Sequence, residues 1–134
     1  MQLRLSKLVV VLGALLVSTL AHAQSDAQAE RGKKVFGTLC IVCHQADGKG
    51  IPSVFPPLAK SDFLMADKAR SIHIAKNGLT GKITVNGASF DGVMPPTGLT
   101  NEQIADVLTY VRSSFGNAGD AVTVAEVEAA LKAK

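Results

Sequence analysis

The sequence predicts a small all-α domain with a core that its secondary structure alone does not fill. Three observations carry this. Helical spacing and capping signals recur along the chain. Two long stretches, residues 45–60 and 79–99, are too rich in glycine and proline for regular structure. The chain's two cysteines, Cys40 and Cys43, are followed at once by His44 in the run CIVCH. Irregular stretches of that length are uncommon in one small domain unless they serve a site.

The elements are expected in this order. Residues 24–28, QSDAQ, are a polar lead-in. A helix follows over about 29–39, because Gly32, Val35, Phe36 and Leu39 recur at the helical period. Cys40 to His44 sit at its end or on the next turn. Residues 45–60 then form a loop containing Gly48, Gly50, Pro52, Pro56 and Pro57. Ser61 or Asp62 caps a short helix to about Ala66, and Asp67 caps another over about 68–76, stopped at Asn77-Gly78. Residues 79–99 read as loop. ITV (83–85) and SF (89–90) suggest at most a small hairpin across Asn86-Gly87, too short to found a sheet. Thr100 and Gln103 make a capping-box pattern at the start of the clearest helix. Ile104, Val107, Leu108, Val111 and Phe115 are its apolar stripe, and Gly116 ends it. A second such pattern, Thr123 to Glu126, opens a last short helix.

The first residues read as an export signal. Arg4 and Lys7 precede a run of apolar residues and glycine over 8–17, and Ala21 and Ala23 stand where a signal peptidase cuts. The apolar run falls short of the about 20 residues that a membrane-spanning helix needs. Cleavage after Ala23 is therefore expected, giving a periplasmic single domain over residues 24–134 with no membrane-spanning segment. Residues 1–23 hold two bases and no acid, so most of the full chain's net charge of +3 leaves with them. The nearly neutral remainder gives no reason to expect a nucleic-acid partner. It has no Trp and one Tyr, so its own core is modest.

Export decides how the cysteines are read. A disulfide between Cys40 and Cys43 would close a tiny loop and staple nothing distant. A thiol–disulfide redox site places its cysteine pair at a helix N-terminus after a strand, where the thiol pKa falls; here the pair follows a helix. A structural zinc site wants four ligands, and Cys40, Cys43, His44 and His73 are a poor set because His44 adjoins Cys43. Covalent haem attachment fits best. Each thiol adds to one vinyl group, and the next residue aims its imidazole at the iron. A large flat apolar ring also supplies the missing core. The iron's other face has Met65, His73, Met94 and the lysines as candidates. Met94 is chosen, because it lies in GVMPP, where Pro95 and Pro96 stiffen the chain and Gly92 lets the backbone approach closely. His44 Nδ1 needs an acceptor to fix its tautomer, and a carbonyl of FPPL, residues 55–58, is the natural source.

These residues resemble the class I c-type cytochromes. GKKVFGTLCIVCH, FPPLAKSDFL, FDGVMPP and LTNEQIADVLTYVRSSFGN appear in that family's order. The resemblance implies a small cytochrome c fold with its N- and C-terminal helices crossing around a haem-filled core. Gly32 and Phe36 would meet Val107 and Tyr110. Pro56 would offer its carbonyl to His44, and Met94 would be the sixth ligand. One haem c attached through Cys40 and Cys43 would serve one-electron transfer between redox proteins, not catalysis. ITVNG…FDGVMPP and the tail FGNAGDAVTVAEV look like cytochrome modules of copper nitrite reductases and of membrane-bound dehydrogenases. The family's haem-packing tryptophan is absent here. Weak docking of a monomer to its partners is expected, with Lys33, Lys34, Lys49, Lys60, Lys68, Lys76 and Lys82 as candidates to steer it.

Overall fold

The computed structural model describes residues 24–133. The expected export signal, residues 1–23, lies outside the described residues. The first helix, α1, occupies residues 24–44. It is α-helical over 24–35, π-helical over Phe36–Cys40 and α-helical again over Ile41–His44. It therefore begins earlier than the sequence spacing suggests and carries Cys40, Cys43 and His44 on its last turns. Two short helices follow, α2 (Asp62–Ala66) and α3 (Lys68–Asn77). Ser61 Oγ accepts from the Leu64 amide, and the Asp67 carboxylate accepts from the Arg70 amide. Both are the caps expected from sequence.

Residues 79–94 correct the sequence reading. They are not loop but a regular antiparallel hairpin, β1 (Leu79–Val85) and β2 (Ala88–Met94), turning at Asn86-Gly87. Both turn residues have positive φ, which a two-residue hairpin turn requires. Among the described residues the sheet has these two strands only. Such a pair is marginal alone. It holds because one face packs on the domain interior, where Val85 and Phe90 are buried. The fold is thus mostly helical with one small sheet.

The next helix, α4 (Asn101–Ser113), starts with the full Thr100–Gln103 capping box. Its Ile104, Val107, Leu108 and Val111 are buried. Phe115 lies just past its end, at positive φ, rather than on the helical stripe. Even so, its ring joins Phe36 and Tyr110 in a cluster with centroids 5.2–5.6 Å apart. α1 crosses α4 at Gly32. A Cβ there would lie 1.9 Å from the Asp106 carbonyl oxygen and 2.8 Å from Tyr110 Cβ. Gly32 therefore meets Asp106 and Tyr110, whereas Phe36 meets Tyr110 as expected. Beside the crossing, Arg31 grips the Asp106 carboxylate through two hydrogen bonds of 2.8 Å.

The last helix, α5 (Val124–Lys132), packs on α3 and α4. Val122 and Val127 are fully buried beneath it. Lys68 Nζ reaches Glu126 Oε1 at 2.8 Å and the Ala121 carbonyl at 3.3 Å. The Lys68 hydrogen bond, followed by the Thr123 amide, holds the Glu126 carboxyl down at about 2. A depressed carboxylate stabilises above its unfolded pKa, and that contribution is lost as pH falls through the folded value. Docking of α5 should therefore weaken as pH drops from about 4.5 towards 2, and Glu126→Gln should flatten that dependence. Amide exchange at Val127 as a function of pH reads this directly. Exchange equally pH-sensitive in both proteins would count against the linkage.

Candidate functional site

A cavity of about 390 Å³ opens between the end of α1, the loop 45–60, the hairpin and α4. That volume falls within the ~300–1,000 Å³ of ordinary ligand pockets. Its walls are chiefly apolar, with Leu64, Ile74, Ile83, Phe90, Leu108 and Val111 among them. Cys40, Cys43 and His44 stand on one side, and Met94 also lines it. Met65 and His73, the other candidates opposite His44, are not among its lining residues.

The π-helical segment explains how α1 can serve both the crossing and the cavity. The Ile41 amide bonds the Phe36 carbonyl, five residues back. Such a turn inserts one residue into the helix. At about 100° per residue, a regular helix would place His44 about 120° from Gly32 and Cys43 about 20° from it. The inserted residue turns everything after it back by about 100°. His44 then points inward, about 20° from the line of Gly32, and Cys43 leaves the crossing for the cavity. His44 is indeed buried.

α1 stops at Gln45, which has positive φ. The chain then folds back under His44. Gly50 donates its amide to the His44 carbonyl at 2.9 Å, and Leu58 and Ala59 both donate to the Gly48 carbonyl. Gly50 has positive φ, and a Cβ there would lie 2.2 Å from the Phe55 carbonyl oxygen, so only glycine fits. This folded loop brings the Pro56 carbonyl 3.0 Å from His44 Nδ1. A carbonyl only accepts, so Nδ1 carries the proton and Nε2 keeps its lone pair free. Burial pushes the His44 pKa down, opposed by the bond to Pro56. The imidazole is thereby held neutral, the form that binds a metal.

The Cys40 thiol is not poised as a nucleophile. Burial, with a lesser effect of Cys43, pushes the Cys40 thiol up to about 11, the reverse of a disulfide-exchange cysteine. Among the described residues, no three His, Cys, Asp or Glu side chains converge where a metal ion could sit between them. The zinc reading therefore has no ligand set there.

Met94 closes β2, paired with Leu79 across the hairpin. Its approach is made possible by Gly78, not Gly92. A Cβ at Gly92 would meet open space, whereas one at Gly78 would lie 2.2 Å from the Met94 carbonyl oxygen. Beyond Pro95 and Pro96, Thr97 Oγ1 donates to Ala75 O at 2.6 Å and Lys76 Nζ donates to Leu99 O at 3.0 Å. Met94 thus sits on a strand end whose following residues are tied to α3. Sequence reasoning missed Gly78 in this role because Asn77-Gly78 also reads as a helix stop. It missed Ile83, Val85 and Phe90 as cavity and core residues because it allowed ITV and SF at most a small hairpin in a loop-like stretch. Their alternation of apolar and polar positions was the available signal.

A family model described as cytochrome c matches residues 29–115. The chain belongs to the cytochrome c family. Cytochrome c-552 of Thermus thermophilus is 38% identical over 109 residues, covering 78% of this chain and 70% of that protein. The cytochrome c subunit of a quinone alcohol dehydrogenase from Gluconobacter oxydans is 27% identical over 113 residues, and that of gluconate 2-dehydrogenase from Pantoea cypripedii 32% over 110. The match takes in only 21% and 24% of those two subunits' own lengths. Electron transfer is the function this membership establishes, and covalently bound haem c is the cofactor it implies. The residues present fit that group. The cytochrome's cavity is apolar and of cofactor size, with two thiols on one side and a neutral imidazole with its Nε2 free. No helix among the described residues is long and apolar enough to cross a membrane.

Proposed function

We propose that this cytochrome is a periplasmic, single-haem electron carrier in which Cys40 and Cys43 form the thioethers and His44 and Met94 are the axial ligands. The observation that carries this reading is that all four side chains line one apolar cavity. The bound haem supplies a one-electron couple, iron(III) to iron(II). The chain's own residues do the rest. Pro56 orients the His44 ring and fixes its proton on Nδ1. The hairpin end and its ties to α3 hold Met94. With His44 and Met94 both holding the metal, substrate would have no access to it, so the protein would carry electrons rather than catalyse a reaction. The apolar wall keeps water out, so little rearranges when the charge changes.

Electrons would pass at the cavity mouth. Val54 and Val93 line the cavity yet are 53% and 69% exposed, and Val42 beside the cysteines is 71% exposed. A partner would therefore meet an apolar rim. Of the candidate steering lysines, Lys68 and Lys76 are already engaged within the domain. The likeness to dehydrogenase cytochrome subunits supports a second reading, an electron-transfer subunit held by a larger dehydrogenase; copurification with such a protein would favour it.

An optical spectrum of the exported protein, oxidised and then reduced with dithionite, tests the assignment. Sharp reduced bands that survive denaturation with the polypeptide, plus the weak long-wavelength band of a thioether on iron(III), are expected. Haem that extracts into organic solvent would refute attachment at Cys40 and Cys43.

A further inference from the structure

Arg112 is a buried cation without an acid. The residue is 6% exposed, and its Nε has no hydrogen-bond partner. Among the described residues no carboxylate lies within ion-pair distance of it, and Asp106, the acid about one and a half turns earlier on the same helix, is held by Arg31. A buried cation is destabilising when no opposite charge answers it. Its position is specific. Nη1 donates to the Leu64 carbonyl at 3.3 Å, and Leu64 lines the cavity, as does the preceding residue Val111. The guanidinium therefore stands one residue behind the cavity wall. The tail seals it there: the Gly119 amide donates to the Arg112 carbonyl at 2.8 Å, and a Cβ at Gly119 would lie 3.1 Å from Nη2. That tail falls outside residues 29–115, the part matched by the family model.

We propose that Arg112 is a redox-tuning residue, a fixed positive charge behind the cavity wall that holds the reduction potential of the bound haem high. The oxidised site carries one more positive charge than the reduced site. A desolvated cation close by therefore disfavours oxidation, and salt screens it little. Arg70 provides an internal contrast. It bonds the adjacent carbonyl, Phe63 O, stacks 3.8 Å above the Phe63 ring and, like Arg112, has a buried Nε without a partner, but the residue as a whole is only half-buried. Its influence should be smaller and should fade with salt. The proposal rests on the haem reading above. The two fail differently, since an altered or absent haem spectrum refutes that reading, whereas an unmoved potential in a protein of native spectrum refutes this one.

The test is a redox titration of the haem-loaded protein at low and high ionic strength. Arg112→Gln keeps a donor for Leu64 and removes the charge. It should lower the midpoint so that, at the wild-type midpoint, the oxidised-to-reduced ratio rises by about threefold or more, at both salt concentrations and with an unchanged spectrum. Arg112→Lys should restore the wild-type value. Gly119→Asp retains Arg112 and, once the flexible Met65 Cε 2.7 Å from the new Cβ moves aside, sets a carboxylate beside Nη2. It should lower the midpoint as well, which keeps the proposal testable if Arg112→Gln does not fold. A merely structural arginine would lose stability in these variants without moving the midpoint. Unmoved midpoints in the variants that fold, or an Arg70→Gln effect as large as that of Arg112→Gln, would overturn the proposal.

Discussion

Met94→Ala should leave the haem attached while opening the face opposite His44. Attachment depends on Cys40 and Cys43 at the end of α1, far in sequence from the hairpin, so the loaded protein should still form. The long-wavelength band of the thioether–iron(III) bond should vanish. The reduced protein should bind carbon monoxide, which a metal with two axial side chains excludes. Methionine raises the potential relative to other common ligands, and axial choice governs a span of about 0.8 V. The midpoint should therefore fall by a large share of that span. A variant with the parent's spectrum and potential would mean that Met94 is not a ligand.

The second large effect is on stability. Gly32→Ala places a methyl 1.9 Å from the Asp106 carbonyl oxygen and 2.5 Å from its carbon. The obstacle is backbone, so no rotamer change relieves it. α1 must lift off α4, carrying Phe36 away from Tyr110 and Phe115 and loosening Arg31 from Asp106. Overpacking of this kind costs about 1–3 kcal/mol, and occasionally more. For a domain near 100 residues, that lowers the melting temperature by on the order of 10 °C. Gly37→Ala is the control. A Cβ there meets nothing within 4 Å, and alanine favours the helix by about 1 kcal/mol. Thermal unfolding of both variants followed by circular dichroism would decide the matter. Equal melting temperatures would show that the crossing is looser than the geometry says.

Much of this was legible in the sequence because the signals were local. Ser61, Asp67, Thr100 and Thr123 each cap a helix, since a cap is made within three residues. CIVCH reads as haem attachment because the spacing itself is the chemistry. A carbonyl of FPPL near His44 was expected from the stiffness of that stretch, and Pro56 in particular from the resemblance to the family. What stayed hidden depends on partners distant in sequence. The hairpin was underestimated because Gly81, Asp91 and Gly92 are weak strand formers, and its stability comes from Val85 and Phe90 packing inward. Gly78 and Gly92 look alike in sequence; only the fold shows which of them touches Met94. Arg112 gave no signal either. It reads as the cation expected in the last turn of a helix, and becomes a buried charge only when the tail folds over it.

The wide turn over Phe36–Cys40 divides two kinds of evolutionary freedom. Gly37, Thr38 and Leu39 are exposed, and Gly37 has open space around its Cα. Their identities can drift with little consequence. Their number cannot. Losing one residue there would undo the rotation that separates the helix crossing from the cavity, and gaining one would overshoot it. Relatives should therefore vary freely at the positions of Gly37, Thr38 and Leu39 while keeping the count between the crossing glycine and the first cysteine constant.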